Sequence, residues 1–300
     1  MIKVAIILVA WNNWKDTEDC LLSLQKLDTK GLDIEVIVVD NGSSTHPISR
    51  ISKKFPKVHI IEHPTNIGFS GGNNIGIKYA LSKGALYIWL LNNDTFVDPQ
   101  ACLTLVDSLV ENRGGVVGSK IYFSPGYEYH RSRYKESERG KVLWYAGGVI
   151  DWENMYASHR GVDEIDTGQF KHAEDTAYVT GCSMMFSADV VKKAGMLDES
   201  YFLYYEDVEF CLRSKAMGFT ILFEPKSRIW HKNSGSSDGP GGIVQEYYQT
   251  RNRYRVGMKY CFMRTKFALL RECMKFLFLG RPVQKKAAFD FLFHRFGKQI

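Results

Sequence analysis

The first 120 residues alternate apolar, β-branched runs with amphipathic stretches, and this alternation constrains the fold more than any other feature of the chain. "KVAIILVAW", "DIEVIVVD", "KVHIIEH" and "ALYIWLLN" have the composition of buried strands, with helical patterns between them. Strands that are apolar on both faces suit a mostly parallel sheet with helices on either side, so an α/β architecture is expected. Ligands of such sheets bind beyond the carboxyl ends of the strands. The polar punctuation falls at those ends: Asn12 after the first strand, "DNGSS" with Asp40 after the second, and Asn92, Asn93 and Asp94 after the fourth.

A chain of 300 residues, 45% of them hydrophobic, can bury the core of one large domain or of a domain plus a smaller appendage. The N-terminal "MIKVAIILVAWNN" has a short apolar run but no small-residue cleavage site, and reads as a buried first strand rather than a signal peptide. No later run is long and apolar enough to span a bilayer. The six cysteines are spread through apolar stretches without C-x-x-C spacing, as expected of reduced thiols in a cytoplasmic protein without structural zinc.

Charge is divided unevenly along the chain. Residues 247–300 hold 13 Lys and Arg against 2 acids, a balance of +11, whereas residues 1–246 hold 26 against 31, a balance of −5. The basic residues are interleaved with Phe, Leu and Met at helical spacing in "MKYCFMRTKFALLRECMKFLFLG". That pattern argues against nucleic acid as the partner. It fits peripheral contact with an anionic membrane surface, or else a helix packed on its own domain with a solvated basic face.

Several short segments carry groups suited to chemistry. Asp94 emerges from a buried strand, where a carboxylate can hold Mg²⁺ or Mn²⁺ against a diphosphate, although "NND" is also ordinary turn composition. In "NIGFSGGNNIG", Gly68, Gly71 and Gly72 allow close backbone approach ahead of a helix expected to begin near Asn73, whose N-terminus favours an anion. The first-strand turn "AWNNWKD" contains no glycine, which disfavours a Rossmann dehydrogenase and also a nucleotidyltransferase phosphate loop. His231 ends "RIWH" and precedes the glycine-rich "NSGSSDGPGG", residues 233–242, placed to cover a diphosphate. "YFLYYEDVEFCLR" sets Glu206 and Asp207 where an aromatic run turns into a helix. The polar stretch 122–145 reads as an insertion or long loop, and "AYVTGCSMMF" as a strand.

Taken in order, these segments resemble the inverting family 2 glycosyltransferases of the GT-A fold, particularly the branch with rhamnosyltransferases and other cell-surface polysaccharide transferases. The resemblance covers roughly residues 3 to 256. It implies a nucleotide-sugar donor, dTDP-rhamnose or a UDP-sugar, a glycan or lipid-linked acceptor, and Mn²⁺ or Mg²⁺ as cofactor. Val9, Trp11 and Asn12 would meet the nucleotide, Trp11 standing where a tyrosine usually packs on the base. Asp40, Gly68, Gly72, Asn73, Asn92 and Asn93 would complete the nucleotide site, Asp94 and His231 would bind the metal, and Asp207, with Glu206 as the alternative, would be the catalytic base. The implied organisation is a glycosyltransferase domain over 1–256, with a nucleotide half (1–120) and an acceptor half (121–256), followed by a basic amphipathic helical tail (257–300). A cytoplasmic enzyme on the inner face of the membrane is expected. A catalytically inactive scaffold or carbohydrate-binding protein is the alternative. Two departures from the family pattern stand out: Asn92 replaces the first acid of D-x-D, and Asn73 stands where many relatives have arginine.

Overall fold

A computed structural model describes residues 1–45, 47–112, 114–233 and 241–300. The expected covering loop falls largely on 234–240, outside the described residues. The element order is β1 (Ile2–Ala10), α1 (Trp14–Leu24), β2 (Leu32–Asn41), α2 (Ile48–Lys54), β3 (His59–His63), α3 (Gly68–Ser82), β4 (Tyr87–Leu91), β5 (Thr95–Val97), α4 (Ala101–Glu111) and β6 (Val116–Phe123). It continues with β7 (Leu143–Tyr145), β8 (Gly148–Asp151), β9 (Tyr156–His159), β10 (Glu174–Asp175), β11 (Ser183–Ser187), α5 (Ala188–Ala194), α6 (Glu206–Ala216) and β12 (Ile221–His231), then α7 (Ile243–Tyr260), α8 (Met263–Leu279) and α9 (Pro282–Leu292).

The central sheet has the strand order β10-β12-β6-β11-β4-β1-β2-β3. β3, β2, β1 and β4 run parallel, as do β6 and β12, and β11 lies antiparallel between β4 and β6. All the parallel strands therefore end at one edge of the sheet, where the start of the reversed β11 also lies. Alternation along β1 shows why its sequence is apolar throughout. Val4, Ile6 and Leu8 join one buried cluster with α1 and α4, whereas Ala5 and Ile7 join a second cluster with α3, α5 and α6.

Four boundaries differ from the sequence expectation. α3 starts at Gly68 rather than near Asn73. β11 covers only the second half of "AYVTGCSMMF". "TILFEP" and "RIWH" form one strand, β12, whose register shifts between Glu224 and Arg228 around Pro225, a residue that cannot donate to the ladder. The ends of 122–145 are strand residues of β6 and β7, which pair antiparallel.

The boundary at 256/257 falls inside α7, which runs to Tyr260. Leu269 and Cys273 of α8 and Ala288 and Phe291 of α9 share a buried cluster with Ile7 and Ile37, so one side of each tail helix packs into the sheet's own core. All six cysteines are buried and unbridged. Among the described residues no helix is long and apolar enough to cross a membrane.

Candidate active site

A cavity of about 620 Å³ opens at the carboxyl edge of the sheet. Val9 and Trp11 line it at the end of β1, Gly68 at the start of α3, Asn92, Asn93 and Asp94 after β4, His231 at the end of β12, and Glu206 and Asp207 at the start of α6. Four further predicted residues, Asn12, Asp40, Gly72 and Asn73, are not among those lining the cavity but hold the segments around it. Asn12, in the left-handed region at φ 62°, accepts from Ser44 N at 2.7 Å, and its own N–H donates to Ser43 Oγ at 2.9 Å. Asp40 Oδ1 accepts from Ser43 N at 3.0 Å. Gly72 lets α3 approach β1, because a Cβ there would lie 2.8 Å from Val9 Cγ1. The buried amide of Asn73 donates to Phe69 O at 2.9 Å, one turn back in its own helix.

The Gly68 turn joins the two sides of the cavity. Gly68 has φ +81°, and a Cβ added there would fall 2.4 Å from Phe202 O, the same carbonyl that accepts from Phe69 N at 2.7 Å. Gly68→Ala therefore combines left-handed strain, about 1–3 kcal/mol, with a backbone clash. It is expected to lower the melting temperature, readable by differential scanning fluorimetry.

On one wall the His231 Nε2 and Asp94 Oδ1 are 3.0 Å apart, and Asn92 Nδ2 lies 3.4 Å from the same ring nitrogen. Burial would lower the His231 pKa, but Asp94 and Cys182 beside it together outweigh burial and hold the imidazole well above its ordinary value. The neighbouring Lys232 donates to Asp16 at 2.5 Å and Asp19 at 2.9 Å, tying the end of β12 to α1. Among the described residues no group of three or more His, Cys, Asp or Glu could hold a metal ion. One carboxylate, Asp94, and one imidazole, His231, would be the protein's side-chain donors to a metal here. That donor set fits Mg²⁺ or Mn²⁺ arriving with a diphosphate.

Glu206 and Asp207, which also line the cavity, begin α6. Glu206 is buried and Asp207 half-buried, and both have raised pKa values, chiefly through desolvation. They differ in their partners. Asp207 accepts from Gly181 N at 3.0 Å and from Val208 N at 2.8 Å, whereas Glu206 Oε2 is buried with no hydrogen-bond partner among the described residues. Backbone donors favour the anion on Asp207, and that anion in turn pushes the proton onto Glu206. Burial opposes the helix dipole here, so the position at the first helical turn does not by itself fix the charge state.

Some of the cavity's wall was not legible as a site. Trp144 packs edge-on against His231 with ring centroids 4.7 Å apart, yet it comes from the stretch expected to be loop. His159, half-buried beside Trp144, has its pKa pushed down to about 4 by desolvation. Phe202, Leu203 and Tyr204 also face the cavity, together with Lys298 and Ile300. The aromatic run before Glu206 was the available signal for the first three; nothing in the spacing marks the others.

Residues 5–195 match the family described as Glycosyl transferase family 2. A low-salt glycan biosynthesis hexosyltransferase of Haloferax volcanii is 27% identical over 219 residues, 73% of this chain. A dTDP-rhamnosyl transferase of Shigella flexneri is 25% identical over 226 residues, also 73% of this chain. The aligned parts span 63% and 69% of those two relatives. Among solved structures, S. aureus TarS superposes with a TM-score of 0.60 at 14% identity, covering 97% of this chain and 79% of that one. A mannosyltransferase of Pyrobaculum calidifontis, solved with GDP-Man and Mn²⁺, gives 0.56 at 14% identity, covering 97% and 74%. The chain belongs to glycosyl transferase family 2, and its fold is the GT-A fold.

Proposed function

We propose that this family 2 chain is an inverting glycosyltransferase of cell-surface polysaccharide synthesis. It would transfer a hexosyl or rhamnosyl group from a nucleoside diphosphate donor to a hydroxyl of a glycan or lipid-linked acceptor, at the cytoplasmic face of the membrane. One observation carries this reading: a cavity of sugar-nucleotide size is lined by both a carboxylate–imidazole pair and two adjacent carboxyls, one of them held by backbone donors. The activities for which the relatives are named, hexosyl and rhamnosyl transfer, support it. The nucleotide would lie against Val9, Trp11, Gly68, Asn92 and Asn93, with Asn12, Asp40, Gly72 and Asn73 holding the turns that shape its site.

Asp94 and His231 would hold Mn²⁺ or Mg²⁺, whose charge offsets that gathering on the departing diphosphate. Asp207 takes the proton from the acceptor hydroxyl as it attacks the anomeric carbon from the face opposite the diphosphate. The glycosidic bond forms as the bond to the diphosphate oxygen breaks, and the configuration inverts because no covalent enzyme intermediate intervenes.

The test is donor hydrolysis and transfer measured across UDP-, dTDP- and GDP-hexoses, with Mn²⁺, Mg²⁺ or EDTA. Turnover of at least one donor that EDTA abolishes is expected; no turnover of any donor with either metal would favour an inactive scaffold. Asp94→Ala should weaken nucleotide diphosphate binding by more than about tenfold in Mn²⁺ and leave it unchanged in EDTA. His231→Ala should act in the same direction with a smaller effect. Calorimetry showing equal metal dependence in parent and variants would remove both residues from the metal site.

A further inference from the structure

We propose that the outward face of α8 docks the protein on an anionic lipid bilayer. The sequence points to basic amphipathic character in this region, and the structure divides α8 into two apolar faces. Thr265, Leu269 and Cys273 are buried on one side. On the opposite side Met263, Phe267, Met274 and Phe278, spaced by four, seven and four residues, form one row along the helix. These four side chains are 63%, 65%, 43% and 66% exposed, and Phe262 and Leu279 at the helix ends reach 80% and 79%. Isolated exposed apolar residues are ordinary, but a continuous row on a helix that already buries its other face calls for a covering partner.

The charges beside the row select that partner. Arg264, Arg271 and Lys275 are exposed and flank it. The acids of residues 261–300 are Glu272 and Asp290. Glu272 pairs with Arg253, and the fully buried Asp290 is engaged by Tyr247 and Lys286, so neither offsets the row's cations. A second copy presenting the same face would set like charges against each other across a two-fold axis. An anionic lipid surface matches both the apolar row and its basic flank. Docking there agrees with a lipid-linked acceptor but does not depend on the transfer reaction, so either reading can fail alone.

The experiment is co-sedimentation of the full chain with phosphatidylglycerol–phosphatidylcholine vesicles and with pure phosphatidylcholine vesicles at low and high salt. Binding to the anionic vesicles that weakens as salt rises is expected. The double variant Phe267→Ser, Phe278→Ser should lose on the order of tenfold or more in vesicle affinity. Arg271→Ser with Lys275→Ser should lose affinity and flatten the salt dependence. All four substitutions are on exposed residues, so unchanged thermal melting is expected and serves as the folding control. Absence of binding to anionic vesicles at low salt, or undiminished binding of Phe267→Ser, Phe278→Ser, would overturn the proposal. So would sedimentation velocity showing a dimer that this same double variant converts to monomer, which would assign the face to a second copy.

Discussion

Asp207→Asn is expected to reduce transfer by on the order of 10²–10⁴-fold while leaving donor affinity nearly unchanged. An asparagine fills the same space but cannot accept the acceptor's proton. The choice of Asp207 over Glu206 rests on which of two neighbouring carboxyls can carry the charge. Two adjacent desolvated carboxylates resist ionising together. The backbone N–H groups of Gly181 and Val208 stabilise the anion on Asp207, whereas the buried Glu206 carboxyl has an oxygen without a partner among the described residues and is pushed well above its ordinary pKa by burial and by the Asp207 charge. Glu206→Gln should therefore be much milder, because it replaces a group that is already neutral.

The same geometry sets the pH profile. Burial raises the Asp207 pKa against the pull of its backbone donors. A base works only when deprotonated, so kcat should fall as pH drops through that raised value, placing the acidic limb above the ordinary aspartate range near ~3.9. Glu206→Gln should retain this limb. Transfer by Asp207→Asn at the parental rate, with saturating donor and Mn²⁺, would remove Asp207 from the chemistry.

How much of this was readable in advance depended on whether local pattern or tertiary packing decided each element. β1, β2 and β4 were legible because strands buried largely on both faces are mostly apolar, and their polar ends marked the edge where the cavity lies. The start of α3 was not. A run of glycines reads as a turn by propensity, yet here Gly72 and Gly76 are helical because a Cβ at either would strike β1, at Val9 and Ile7. Pro225 made β12 read as two strands, when it sits in a register shift that a single strand can absorb. In the site, the family resemblance pointed to the carboxylates and the histidine, which the residues alone left as ordinary turn and helix composition. It could not separate residues that line the cavity from those that do not, so Asn12, Asp40, Gly72 and Asn73 appeared equivalent to Trp11 and Asp94. The tail's basic periodicity was visible, but which of its apolar residues are buried depends on the core that α8 and α9 meet.

Asn252→Ala, far in sequence from Asp207, is expected to lower kcat by on the order of 10²-fold with a smaller change in donor affinity. The loop that delivers α6 is strained: Phe202, Tyr204 and Tyr205 have φ of 66°, 64° and 70°, in a region that costs a residue with a Cβ about 1–3 kcal/mol each. Such a loop persists only if its surroundings hold it. The buried Asn252 amide in α7 donates to Tyr201 O at 3.0 Å, Leu203 O at 2.9 Å and Tyr204 O at 2.8 Å. Its own Oδ1 is fixed by Arg251 Nε at 2.9 Å, and the same arginine donates to Tyr201 O at 3.0 Å and to Gly297 O at 2.8 Å. Removing the amide takes a donor from the Leu203 and Tyr204 carbonyls, while Tyr201 O keeps Arg251, and it frees the three left-handed residues to relax, which moves the first turn of α6 and with it Asp207. Asn252→Asp is the discriminating variant. It preserves volume but turns an acceptor toward three carbonyls, so it should be at least as damaging as alanine, whereas a pure packing role would make it the milder change. If both variants lower the melting temperature but keep the parental kcat, Asn252 stabilises the fold without positioning the base.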